Sequence, residues 1–272
     1  MIALLALGVT AYVGLVMRRG VTLCPPGLAR QGPRCCPLGQ QLEAGSCVGR
    51  ATSCAETQTL INGECGLHAT AAVRISGGRI DVAPDDWESE GHLSARSAAI
   101  AAFEIQRSEV THAAWDLCEK AGRCRPLDSK ESFLPVTGIS PAEAEQYCQT
   151  LGGRLPTSDE WLLAASGAER RRYPWGQAGL VCRRVVYGLV DGPCTSGAVG
   201  PELVGTRPAG AAPNGLLDMA GNVAEWTRLG DSYAAYGGSF RAQLAGELKT
   251  WSSRLNIEPN DATGVRCAFD VK

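Results

Sequence analysis

The sequence predicts an α+β, loop-rich domain that follows a small disulfide-rich segment and an N-terminal hydrophobic helix. Three observations predict it. Twelve cysteines accompany only three histidines in 272 residues, a ratio that points to disulfides in an oxidising compartment rather than to metal knuckles. Three amphipathic stretches between residues 108 and 167 carry helix caps, and beyond them Gly, Pro and Asn dominate, as expected of loops joining short strands. The boundaries read as 1–19 for the hydrophobic segment, 20–68 for the Cys-rich segment and 69–272 for the domain. A formal charge of −2 gives no long-range field to draw in nucleic acid.

Residues Ile2 to Met17 carry no charge. As a helix these sixteen residues span about 24 Å against a hydrocarbon core of about 30 Å. A basic leader and a small-x-small cleavage site are both missing, so the segment reads as an uncleaved membrane anchor rather than a signal peptide. Arg18 and Arg19 favour a cytoplasmic C-terminal side, which opposes the cysteine argument. The cysteines take precedence because six cytosolic disulfides would be exceptional. The expected location is extracytoplasmic, in the periplasm or at the cell surface.

Three twelve-residue segments then align without gaps: "CPPGLARQGPRC" (24–35), "CPLGQQLEAGSC" (36–47) and "CAETQTLINGEC" (54–65). Each opens and closes with Cys and carries a Gly near its close (Gly32, Gly45, Gly63), where a tight turn returns the chain toward its start. Adjacent pairing (Cys24 with Cys35, Cys36 with Cys47, Cys54 with Cys65) gives three disulfide-closed hairpins. Other pairings among the fifteen stay open. A unit this small buries little apolar surface, so covalent links substitute for a core. It reads as a spacer or docking knob, or as an inert stalk.

In the domain, "SEVTHAAWDLCEKAG" predicts a helix capped by Thr111 and ended at Gly122, with Ala114, Trp115, Leu117 and Cys118 facing inward. "SPAEAEQYCQTLGG" predicts a second, with Ser140 at the N-cap, Pro141 at N1, a capping box through Glu143, and Ala144, Tyr147, Cys148 and Leu151 on one face. In "LPTSDEWLLAAS", Thr157 and Glu160 form another box, and Gly167 is the stop. Cys118 and Cys124 flank the end of the first helix, and Cys182 and Cys194 close a loop, so all twelve cysteines are expected to pair.

The stretches "GGRLPTSDEW", "YPWG", "PNGLLDMAGNVAEW", "YGGSF" and "TGVRCAFD" resemble, in the same order, motifs of the formylglycine-generating enzyme (sulfatase-modifying factor) family, over roughly Val73 to Lys272. The resemblance implies a C-type-lectin-like variant fold and a disulfide from Cys148 on the inward helix face to Cys267 in the C-terminal strand. It also implies a structural calcium held by the side chain of Asp218, the carbonyls of Gly221 and Val223, and the carboxylate of Glu225. The spacing of the two acids around "MAGNVA" suits the all-oxygen shell of calcium. The family's other calcium motif, after "YPWG", is missing from "CRRVVYG", so one ion is expected.

Active members of the family oxidise a substrate cysteine with two copper(I)-binding cysteines just after "GGS". Here Gly237, Gly238, Ser239 and Phe240 are followed by Arg241, Ala242, Gln243 and, further on, Glu247, with no cysteine between Thr195 and Arg266. Soft copper(I) needs thiolates, so no copper is expected. A second branch uses histidine-ligated iron, but His68, His92 and His112 lack ligand spacing, so no iron is expected.

Other catalytic signatures, G-x-S-x-G, H-E-x-x-H and phosphate-binding glycine loops, are missing. "IEPND" (Ile257 to Asp261) contains the Glu-Pro-Asn triplet of sugar-binding C-type lectins but reads as a turn on Pro259. Arg170, Arg171 and Arg172 offset a helix C-terminus. Trp161, Trp175 and Trp226 read as core. The expected function is an exported, membrane-tethered, catalytically degenerate binding or structural module, with an unidentified protein or peptide partner, or a glycan. The competing reading is an active formylglycine-generating oxidase, or a related non-haem metal oxidoreductase, of the same family.

Overall fold

The computed structural model describes residues 24, 26–32, 34–44, 46–54, 59–61, 63–66, 71–82, 96–128, 133–195, 199–255 and 257–271. The expected apolar helix over 2–17, and His68 and His92, lie outside the described residues. Among the described residues no helix is long and apolar enough to cross a membrane.

The Cys-rich segment forms three two-stranded antiparallel sheets: β1 (Leu28–Gln31) with β2 (Arg34–Pro37), β3 (Gln41–Glu43) with β4 (Ser46–Val48), and β5 (Thr59–Ile61) with β6 (Glu64–Gly66). Each turns in two residues, as the registers Gln31↔Arg34, Glu43↔Ser46 and Ile61↔Glu64 require. Such short loops need positive φ, which Gly32, Ala44 and Gly63 supply. Disulfides Cys24–Cys35, Cys36–Cys47 and Cys54–Cys65 close the three units. The hairpins are also bonded to one another: Gln31 Nε2 donates to the Gln40 carbonyl at 2.8 Å, and the Ala51 amide to the Gly63 carbonyl at 2.7 Å.

Among the described residues, the domain is assembled on two larger sheets and three short helices. β10 (Phe103–Gln106) pairs antiparallel with β7 (Ala72–Ile75) on one side and β15 (Ala268–Asp270) on the other. The second sheet has the order β13 (Ser253–Leu255), β12 (Ser232–Tyr236), β11 (Ala224–Leu229), β14 (Thr263–Gly264), with only the β11–β14 pair parallel. A separate hairpin joins β8 (Gly78–Val82) to β9 (Arg96–Ile100).

Helix α1 runs His112–Lys120 with Thr111 as N-cap, α2 runs Pro141–Thr150, and α3 runs Ser158–Ser166. The last two carry complete capping boxes, Ser140 with Glu143 and Thr157 with Glu160. Gly167, at φ 65°, ends α3. On α1, Ala114, Trp115 and Cys118 are buried as expected, but Leu117 is 65% exposed. At about 100° per residue, 114, 115 and 118 share an arc from whose centre 117 lies more than about 90° away. Leu151, at the C-cap of α2, is likewise exposed rather than inward.

One core cluster joins Phe103, Ile105, Trp161, Leu216 and Met219 between the sheets and α3. Another joins Trp115, Tyr147, Trp226 and the Cys148–Cys267 disulfide under α1 and α2. Trp115 stacks on Tyr147 with centroids 5.2 Å apart. Trp161 and Trp226 are core, whereas Trp175 is half-buried and stacks on Tyr173. The remaining pairs are Cys118–Cys124 and Cys182–Cys194, so every cysteine is bonded.

Candidate functional site

Two features converge around the turn that leads into β11: a buried cluster of acids and, beside the following strands, an open cleft. The turn 218–222 is left-handed at three positions, with φ of 55° at Asp218, 75° at Gly221 and 58° at Asn222. Asp and Asn are the side chains best tolerated there. A Cβ at Gly221 would sit 2.4 Å from the Val186 carbonyl, so only glycine lets the turn lie on that segment.

The turn places Asp218, Asn222 and Glu225 in the interior beside Glu109 and Arg266. Glu225 Oε1 accepts from Arg266 Nη2 at 2.7 Å, and Oε2 accepts from Arg266 Nε at 2.9 Å and from Trp161 Nε1 at 2.6 Å. Arg266 also donates to the carbonyls of Gln106 and Leu217. Glu109 accepts from Asn222 Nδ2 at 2.8 Å and from the Val223 amide at 3.1 Å. Asp218 Oδ2 accepts from the Gly205 amide at 2.6 Å.

Three buried carboxylates thus face one buried guanidinium, a surplus of two negative charges when all are ionised. Burial, with the neighbouring Asp218 and Glu225 charges, drives the Glu109 carboxyl well above the usual range. Burial likewise pushes Asp218 up to about 6, against the pull of the Gly205 amide and Arg266. Burial works against the Arg266 charge, but the facing carboxylates hold its pKa raised.

The sequence-predicted calcium residues Asp218, Gly221, Val223 and Glu225 are therefore on one turn and strand start, but Glu225 is already engaged by Arg266. The donor set fits a hard cation in type, since it is all oxygen, while Arg266 offsets the charge of Glu225. Among the described residues no three carboxylate, histidine or cysteine side chains converge to hold a metal, so an ion here would depend on backbone carbonyls for much of its shell. Glu109 and Arg266 were not singled out from sequence. The signal for Arg266 was a lone charge between Val265 and Cys267, where an apolar neighbourhood requires a buried partner.

The cleft, of about 400 Å³ including its mouth, has a floor of small residues, Ala224, Ala235 and Gly238. Ser239, Asn260 and Thr263 wall it, and Glu247 and Arg254, paired with each other, stand at its rim. Gly238 and Ser239 belong to the "GGS" frame. Nearby, Arg241 pairs with Asp261 and covers the Phe240 ring at 5.0 Å. No sulfur lines this cleft. The Glu-Pro-Asn triplet reaches it only through a turn: Asn260 Oδ1 accepts from the Ala262 amide at 2.9 Å and from Thr263 Oγ1 at 3.1 Å, and Nδ2 donates to the Glu258 carbonyl. His112, at the start of α1, is partly buried, and burial lowers its pKa.

These features define a sulfatase-modifying-factor-like fold. The sulfatase-modifying factor enzyme 1-like domain family matches residues 57–271, and the chain belongs to that family. It is 30% identical over 186 residues to the hercynine oxygenase of Mycolicibacterium thermoresistibile, covering 54% of this chain and 40% of that one. It is 39% identical over 100 residues to the formylglycine-generating enzyme of Mycobacterium tuberculosis (34% and 32% covered). It is 37% identical over 115 residues to the inactive C-alpha-formylglycine-generating enzyme 2 of Bos taurus (40% and 37%). The chain thus spans only about a third to two-fifths of these curated relatives. Among solved structures, PvdO from Pseudomonas aeruginosa superposes with a TM-score of 0.59 at 16% identity, covering 74% of this chain and 94% of that one. Treponema denticola variable protein 1 gives 0.57 at 16%, covering 74% and 95%. These two likenesses establish the fold.

Proposed function

We propose that the chain is an exported module, tethered by residues 2–17, that has lost the family's copper chemistry and uses its cleft to hold a protein or peptide partner. The carrying observation is that all twelve cysteines are consumed by disulfides, while hydroxyls and a Glu247–Arg254 pair stand beside the "GGS" frame. The family's copper(I) site is built on two thiolates, and no free cysteine is left. The full chain incubated with copper(I) and a cysteine-containing sulfatase-type peptide is expected to leave the thiol unchanged by mass spectrometry. Conversion of thiol to aldehyde would overturn the reading. The similarity to relatives named as oxygenase and formylglycine-generating enzyme favours the alternative, an active formylglycine-generating oxidase or a related non-haem metal oxidoreductase, and the copper assay tests the first of these.

The module reading includes one structural calcium ion held by Asp218, Gly221, Val223 and Glu225. Ligation to the native state alone stabilises by about 2.7 kcal/mol at a hundredfold excess over Kd. After chelation, millimolar calcium should therefore raise the melting temperature at pH 7.5. Asp218→Asn should reduce the rise, because it keeps a ligating oxygen but loses a charge, while the left-handed turn is kept, since Asn tolerates positive φ, and the Glu225–Arg266 pair is untouched. An unchanged melting temperature in the native chain would sink the ion.

In chelator, pH dependence has a definite sign. A carboxyl raised in the fold from 3.8 to about 6 keeps its proton there while the unfolded chain has lost it. Stability is therefore expected to fall as pH rises from about 4 through about 6. Urea melts across that range check the slope, and a rise in its place would refute the ionisation assigned to Asp218.

A further inference from the structure

Arg34, in β2 of the first disulfide hairpin, is only 7% exposed, whereas Arg30 in the same hairpin is exposed. Its cover comes from the domain: Nη2 donates to the Pro201 carbonyl at 2.7 Å, across 167 residues of sequence. Pro201 opens a segment, 201–207, with no sheet pairing of its own before a 3-10 turn at Pro208–Gly210. Yet Glu202, Val204, Thr206 and Arg207 in it are all buried. Besides a backbone bond from the Val204 amide to the Phe133 carbonyl at 3.2 Å, side-chain contacts hold it. The Glu202 amide donates to Asn222 Oδ1 at 2.9 Å, and the Gly205 amide to Asp218 Oδ2 at 2.6 Å. The Glu202 carboxylate accepts from Thr206 Oγ1 at 3.1 Å and from Arg207 Nη2 at 2.6 Å.

Asn222 is shared, because its Nδ2 donates to Glu109. One continuous set of bonds therefore runs from the first hairpin through 201–207 to the buried acids. We infer that the first hairpin is a clamp: it docks through Arg34 on the strap 201–207 and holds that strap's amides on Asn222 and Asp218. The Cys-rich segment is then a working part of the domain and not an inert stalk. A guanidinium buried at such a contact must find acceptors or incur a desolvation cost, and the Pro201 carbonyl supplies one. Without the clamp, the strap keeps its bonds to Asn222, Asp218 and the Phe133 carbonyl but loses its anchor at Pro201, and it opens locally more often. The inference does not depend on calcium.

Hydrogen exchange of the full chain in chelator tests it, with Arg34→Met as the probe and Arg30→Met as the control. Methionine keeps an apolar stem but removes the donors. The Glu202 and Gly205 amides should exchange about tenfold faster in Arg34→Met, with core amides such as Ile105 and Leu163 unchanged, and Arg30→Met should match the native chain. Rates at Glu202 and Gly205 within twofold of native would overturn the clamp. Uniform acceleration that includes Ile105 and Leu163 would also overturn it, because Arg34 would then serve global stability only. If Arg34→Met fails to form its disulfides, Arg34→Lys provides the same comparison with a single shorter donor.

Discussion

Arg266→Gln should destabilise the domain by about 3–5 kcal/mol, the range expected when one partner of a buried ion pair is removed and the other stays. The guanidinium is fully buried, and its donors serve both Glu225 oxygens and the Gln106 and Leu217 carbonyls. Glutamine can satisfy one or two of these acceptors but supplies no charge. Glu225, Glu109 and Asp218 would then be buried together uncompensated. The loss should shrink at pH 5, where Asp218, already raised to about 6, takes up a proton. A double variant, Arg266→Met with Glu225→Gln, should recover part of the loss because it removes both charges. Urea unfolding at pH 7.5 and 5 measures all three. A single-variant loss below about 1 kcal/mol would mean that the acids are already neutral at pH 7.5 and that Arg266 compensates nothing.

What could be read from the sequence was local. Helix starts were legible because the N-cap side chain and the residue three positions on satisfy each other, as at Ser140 with Glu143 and Thr157 with Glu160. The hairpin repeat was legible for the same reason, since each twelve-residue unit closes on itself. Leu117 was misplaced because a hydrophobic residue on a helix flank satisfies a periodicity count without facing the core. The acid cluster was legible only by half. Asp218 and Glu225 sit on one short motif, but Glu109 meets Asn222 across 113 residues and Arg266 meets Glu225 across 41. No local pattern encodes such contacts. The clamp residue Arg34 was hidden likewise, one of two arginines in its hairpin, with its Pro201 carbonyl partner 167 residues away.

Replacing both Cys148 and Cys267 with Ala should cost more than removing any other disulfide of the chain. The bond spans 119 positions, against 6 for Cys118–Cys124 and 11 or 12 for the others. Chain entropy alone assigns about 4.9 kcal/mol to the long loop and about 2.2 kcal/mol to the shortest. Packing adds to the difference. Both sulfurs are fully buried in the cluster with Trp115, Tyr147 and Trp226, so the Ala pair also loses buried contact there. The bond ties α2 to the segment entering β15, the last strand of the β7–β10–β15 sheet, where the Cys267 amide donates to Gln106 Oε1 at 2.9 Å. Without the covalent tie, the C-terminal strand depends on that side-chain bond, the Arg266 pair, its three-residue ladder with β10, and the bridge and ion pair that Arg154 makes to Ala268 and Asp270. The expected order of unfolding midpoints places the Cys148/Cys267 double variant lowest and the Cys118/Cys124 variant well above it. If the two variants unfold within about 0.5 kcal/mol of each other, loop length does not govern the ranking in this fold, and residual structure in the unfolded chain would have to explain the equality.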